Sequence, residues 1–83
     1  MTPTPTTLDE ARAVLPPMWV VYDNPADFPG EWVARVWYGE VASAEVLRAP
    51  DLVTLRELIV IAGGSVRLHR NDADDAVIRE TWL

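Results

Sequence analysis

Trp19-Val20-Val21-Tyr22-Asp23-Asn24-Pro25-Ala26-Asp27-Phe28-Pro29-Gly30-Glu31-Trp32-Val33-Ala34-Arg35-Val36-Trp37-Tyr38 is the stretch that decides the fold. Two runs of β-branched and aromatic residues flank a segment bracketed by the turn dipeptides Asn24-Pro25 and Pro29-Gly30. The pattern predicts a strand over Met18 to Asp23, an acidic turn, and a second strand beginning at Trp32. In that second strand, alternation puts Trp32, Ala34, Val36 and Tyr38 on one face and Val33, Arg35 and Trp37 on the other.

Before the first strand, Thr7-Leu8-Asp9-Glu10 matches a capping box, in which the Thr hydroxyl accepts from the amide three residues on. Leu8, Ala11, Val14 and Leu15 follow at helical spacing, and Pro16-Pro17 stops the helix. Residues 1–6, rich in Thr and Pro, read as a flexible tail, leaving 7–83 as one domain. After Tyr38, Gly39 breaks the strand. Glu40 to Ala44 suits a strand or a helical turn, and Glu45 to Ala49 reads as a third strand ended by Pro50 and Asp51. Thr54-Leu55-Arg56-Glu57 is a second capping-box match, Leu55, Leu58, Ile59 and Ala62 make the apolar stripe of a second helix, and Gly63-Gly64 ends it. Ser65 to Arg70 alternates as a strand. The polar turn Asn71 to Asp75 leads to a last strand, Val77 to Leu83, with Ile78, Glu80 and Trp82 opposing Val77, Arg79 and Thr81.

The expected fold is therefore α+β in two layers. An antiparallel sheet of four to five strands carries two short helices on one face, in the order α-β-β-β-α-β-β. A faint repeat at an offset of 47 aligns Thr7-Leu8-Asp9-Glu10 with Thr54-Leu55-Arg56-Glu57. If it reflects structure, the two halves are pseudo-symmetric and their acidic turns fall at equivalent ends.

Composition narrows function by exclusion. Thirteen acidic residues against seven basic ones, all Arg, give a formal charge of −6. Direct nucleic-acid binding needs clustered positive charge, so this balance argues against it and favours a partner with a basic surface. The absence of cysteine excludes a disulfide framework and a thiolate metal site. No stretch is apolar enough to span a bilayer, and the N-terminus lacks the n- and h-regions of a secretory signal. The cytoplasm is the expected location.

No constellation reads as catalytic, and no cofactor or metal is expected. His69 is the lone histidine; the neighbouring Asp72 and Asp74 begin a calcium-loop pattern that Ala76 and Val77 break. Ser43 and Ser65 lack a nucleophile-elbow context. Gly63-Gly64-Ser65 follows a helix where a phosphate-cradling loop precedes one. Among the tryptophans, Trp19 and Trp82 sit in apolar strands and are expected in the core. Trp32 and Trp37 point to opposite faces, so one of them is expected to be partly exposed on a two-layer fold.

The motif Trp19-x-Val21-Tyr22-Asp23-x-Pro25-x-Asp27-Phe28-Pro29 with Trp32-Val33-x-Arg35-x-Trp37 resembles small uncharacterised proteins of phages and prophages in GC-rich bacteria. Asp74-Asp75-x-x-Ile78-x-Glu80-x-Trp82-Leu83 adds to that resemblance, and together the motifs cover about half the chain. In size and charge the chain also resembles small acidic anti-CRISPR proteins, in particular those directed against type I-C Cascade. The resemblance implies a non-enzymatic inhibitor, acting in the host cytoplasm, that occludes a protein or ribonucleoprotein with a basic surface. The expected contact residues are Asp23, Asp27 and Glu31 on one turn, Asp72, Asp74 and Asp75 on another, and Trp32 or Trp37 as anchor. The alternative is a self-associating structural domain, so monomer and homodimer both stand at this level.

Overall fold

The computed structural model describes residues 7–69 and 78–83. The expected N-terminal tail, and the second acidic turn with Asp72, Asp74 and Asp75, lie outside the described residues. The chain runs α1 (Leu8–Val14), β1 (Met18–Asp23), β2 (Trp32–Tyr38), β3 (Val41–Ala49), α2 (Leu52–Ala62), β4 (Arg67–His69) and β5 (Ile78–Trp82). The strands form one open sheet in the order β3-β2-β1-β5-β4, with every neighbouring pair antiparallel. This is the expected α+β architecture.

Alternation decides the core. Trp19 and Val21 of β1, Ala34, Val36 and Tyr38 of β2, Ala49 of β3 and Trp82 of β5 share one face of the sheet and pack with Ala11, Leu55 and Ile59 from the two helices. Both helices lie over β2 and β3. Trp19 and Trp82 are cross-strand partners, both buried, as their apolar surroundings in the sequence imply. The chain after α2 is threaded close to the Trp19 ring. A Cβ on Gly64 would lie 2.5 Å from Ile59 Cγ2, so only glycine fits where the backbone leaves the helix.

Three expectations are corrected. The cap of α2 is Asp51, whose carboxylate accepts from the Thr54 amide at 2.8 Å, so the helix begins one turn before Thr54. That hydrogen bond holds the exposed Asp51 carboxyl below its ordinary range. The first cap is as read, with Thr7 Oγ1 accepting from Glu10 N at 3.2 Å. Second, β3 starts at Val41 and not Glu45. Gly39, at φ 63, opens a two-residue turn between Tyr38 and Val41, and the strand returns at once. The small residues that left this segment ambiguous sit at an irregularity in the β2–β3 ladder. There Ser43 Oγ donates to Val36 O at 2.7 Å and accepts from Glu45 N at 3.1 Å, satisfying backbone groups that the ladder misses. Third, the halves are not symmetric. With Asp51 as the cap, the helix starts no longer align at 47 residues, and β1 is central while β4 is an edge.

Candidate functional site

Two regions at the β1–β2 turn end of the sheet hold Asp23, Asp27, Glu31 and Trp32, while Trp37 lies toward the other end of β2 opposite Met18. The first is the turn itself. Asn24, at φ 53, takes the left-handed conformation that Asn tolerates. Its amide donates to Glu31 O at 2.9 Å, and its Oδ1 accepts from Gly30 N at 2.6 Å. Inside that clasp, Phe28 N reaches Pro25 O and Glu31 N reaches Phe28 O. The segment folds onto the sheet face that carries no helix. Pro25 is buried, and a 220 Å³ hollow lined by Tyr22, Pro25, Asp27, Val33 and Arg35 lies beneath the turn.

The acids of the turn are not free. Asp27 pairs with Arg35 at 2.8 Å, and Glu31 with Arg48 at 2.7 Å. Arg48 also stacks on the Phe28 ring, 4.5 Å from its centroid. Arg35 is further fixed by donating to Ser43 O at 2.8 Å. Because side chains alternate, Asp23 and Trp32 belong to the opposite, helix-bearing face. The expected acidic edge is thus divided between the two faces of the sheet. Trp37 lies on the open face and Trp32 on the helix face, as alternation required, and both are half-buried. The Trp37 indole nitrogen is buried with no hydrogen-bond partner.

The second region is a cleft of about 420 Å³ between the start of α2 and strands β4 and β5. Trp32 and Leu52 form apolar wall; Arg56, Arg67 and Arg79 bring three guanidinium groups, and Asp23 and Glu80 two carboxylates. Sequence reasoning missed this site. A bulge in β5 is the reason. The β1–β5 register runs Val21↔Glu80 and then Tyr22↔Ile78, which leaves Arg79 as the extra residue. Ile78 therefore departs from the face of Glu80 and Trp82, contrary to simple alternation, while Arg79 lines the cleft and meets Asp23 at 3.5 Å.

Glu80 is the buried acid of the cleft. Its Oε1 accepts from both Arg56 Nε, at 2.9 Å, and Arg56 Nη2, while its Oε2 accepts from Trp82 Nε1 at 2.9 Å. Burial alone pushes its carboxyl up. The bonds from Arg56 and Trp82, with the charges of Arg56 and Arg67, outweigh burial and hold it below the ordinary range. The same bond raises Arg56 above its ordinary value. Glu80 is therefore ionised and held on both oxygens, a structural anchor more than a proton donor.

Among the described residues, no group of three or more acidic or histidine side chains is placed to hold a metal ion, and no helix is long and apolar enough to cross a membrane. Ser43 Oγ is committed to the backbone of β2. Comparison with protein-family models, curated proteins and solved structures gives no match to this chain.

Proposed function

We propose that the chain is a small binding module, with no reaction of its own, that acts by covering a partner's surface with the β1–β2 end of its sheet. The observation that carries this reading is the bracing of the turn. A clasp from Asn24, two arginine pairs and a guanidinium–ring contact hold Asp27, Phe28 and Glu31 in one arrangement before any partner arrives. A pre-ordered turn loses little conformational entropy on docking. Asp23 and Trp32, register partners at the base of the hairpin, extend the surface around the sheet edge.

The partner class follows from the resemblance to acidic anti-CRISPR proteins: a nucleic-acid-binding host complex, with type I-C Cascade the first to test. The internal arginine pairs refine the mechanism. A basic partner must share Asp27 and Glu31 with Arg35 and Arg48, so charge contributes to steering and orientation more than to affinity. Apolar contact from Phe28 and Trp32 then supplies the hold.

The test is target-DNA binding by purified Cascade in the presence of the chain. Stoichiometric loss of DNA binding, relieved by Trp32→Ala and weakened by Glu31→Lys, is the expected result. Undiminished DNA binding at large molar excess of the chain removes the anti-CRISPR reading.

One set of observations favours a second reading, self-association. The outer side of α2 exposes Val53, Val60 and Ile61, the last 82% accessible, and β3 is a nine-residue edge strand. Sedimentation separates the two: a monomer at micromolar concentration excludes this alternative.

A further inference from the structure

We infer that the cleft between α2 and β4–β5 is a binding site for a small organic oxyanion, a carboxylate or phosphate monoester carried on a flat apolar body. This does not rest on the partner reading, since the ligand is a small molecule and the site is complete within one chain.

Acids and arginines are unevenly matched in this chain. The chain has nearly twice as many acids as arginines, so every arginine has carboxylates to choose from. Arg12, Arg35, Arg48, Arg56 and Arg79 each take one: Glu45, Asp27, Glu31, Glu80 and Asp23. Arg67 is the exception among the described residues, with no ion pair or side-chain hydrogen bond, and it lines the cleft. The nearest buried acid, Glu80, feels the charge of Arg67 but makes no ion pair with it. Both of its oxygens are already held, Oε1 by Arg56 and Oε2 by the Trp82 indole, and it is turned into the protein. Arg79 is only loosely held, at 3.5 Å from Asp23, with half of its side chain exposed.

Among the described lining residues, three guanidiniums stand against two carboxylates, a positive balance on a chain of net charge −6. An arginine fork matches the two coplanar oxygens of a carboxylate or the face of a phosphate, and with Arg79 also lining the cleft the site offers donors from two strands. The remainder of the lining sets the rest of the ligand. Trp32, Leu52 and Leu68 are apolar, and a volume of about 420 Å³ is within the range of small-ligand sites. An aryl or heterocyclic group fits against the indole while its anionic substituent reaches Arg67. The bulge that turns Arg79 inward is the kind of departure from regular pairing that re-aims a side chain toward a site.

The test is titration of the isolated chain, followed by the indole N–H of Trp32 and the guanidinium N–H signals of Arg67 and Arg79 in NMR spectra. The probes are phenyl phosphate, benzoate and inorganic phosphate. Saturable shifts at these three residues are expected, with a dissociation constant on the order of 1 mM or tighter for an aryl anion. Arg67→Ala is expected to weaken binding by about tenfold or more, the loss of one charge-assisted fork. Arg67→Lys, which keeps the charge and not the fork, is expected to fall between. Arg12→Ala, on α1 and outside the cleft lining, is the control and leaves binding unchanged. Arg67 is exposed, so its variants keep the fold, and unchanged spectra away from the cleft verify this. Phenyl phosphate binding without benzoate assigns the site to phosphate monoesters, and the reverse assigns it to carboxylates. Inorganic phosphate binding as tightly as phenyl phosphate overturns the flat-body requirement. Absence of saturable shifts with any probe, or equal affinity in Arg67→Ala, overturns the site.

Discussion

The β1–β2 turn and the cleft are built from the same chemistry, arginine against carboxylate beside an aromatic ring, and they use it to different ends. In the turn, each pair has a partner well exposed to water: Asp27 at 55% and Arg48 at 52% of side-chain area. Water and salt compete there, so such pairs fix geometry and contribute little stability. In the cleft, Glu80 is 8% exposed and is bound on both oxygens, so the pair cannot be opened without stranding a buried charge. Arginine pairs on a surface orient a loop; an arginine pair at a cleft floor holds the wall together.

The sharpest way to break this comparison is to remove the buried carboxylate. Glu80→Gln is expected to lower stability by about 3 kcal/mol, read as a shift of the urea midpoint at constant slope. That is the low end for losing one member of a buried pair, because Arg56, a third exposed, can turn toward water. Titration supplies an independent reading. The folded-state carboxyl of Glu80 lies below its ordinary value of 4.5, so its stabilisation is complete above that value and is lost as pH falls through the lowered one. Wild-type stability should therefore decline from about pH 5 downward, with a shallower decline in Glu80→Gln. Equal acid slopes in the two proteins would show that Glu80 is not the group responsible.

The buried Trp82 and the half-buried Trp37 make a finer comparison. Trp82 donates to Glu80, whereas the buried Trp37 nitrogen has no partner. Trp82→Phe removes a hydrogen bond to a charged acceptor as well as core area, and is expected to cost about 2–3 kcal/mol. Trp37→Phe loses ring area and no hydrogen bond, and is expected to cost about 1 kcal/mol or less. Reversal of this order in thermal or urea unfolding would mean that ring packing, and not the Glu80 contact, sets the difference.

Local signals made most of the fold legible. The hairpin, the face of each β2 residue, the Thr7 cap and the burial of Trp19 and Trp82 all follow from alternation and capping chemistry within a few residues. What was misread depended on register. Thr54 has the chemistry of a cap, but so does Asp51, and only the path of the chain after Ala49 chooses between them. The Asp23, Asp27 and Glu31 side chains look like one acidic edge until strand pairing brings Arg35 and Arg48 onto one face and Arg79 onto the other. The cleft was invisible for the same reason. Its residues come from five elements spread from Asp23 to Glu80, and a one-residue bulge turns Arg79 into it.

The smallest expected effect lies in the turn and tests the other half of the comparison. Asp27→Asn removes the carboxylate from Arg35 but leaves the guanidinium its bond to Ser43 O and its position against the sheet. No buried charge is stranded, because the amide still accepts a hydrogen bond and Asp27 is more than half exposed. The expected loss is about 0.5 kcal/mol or less, and it should vanish at about 0.5 M salt, where the screening length is a few ångströms. Glu80→Gln measured in the same salt should lose almost none of its effect, since ions do not reach a carboxylate enclosed by Arg56 and Trp82. A salt-resistant loss at Asp27 would mean that the turn is held by its charges as firmly as the cleft, and that docking a basic partner must break that pair before it can form its own.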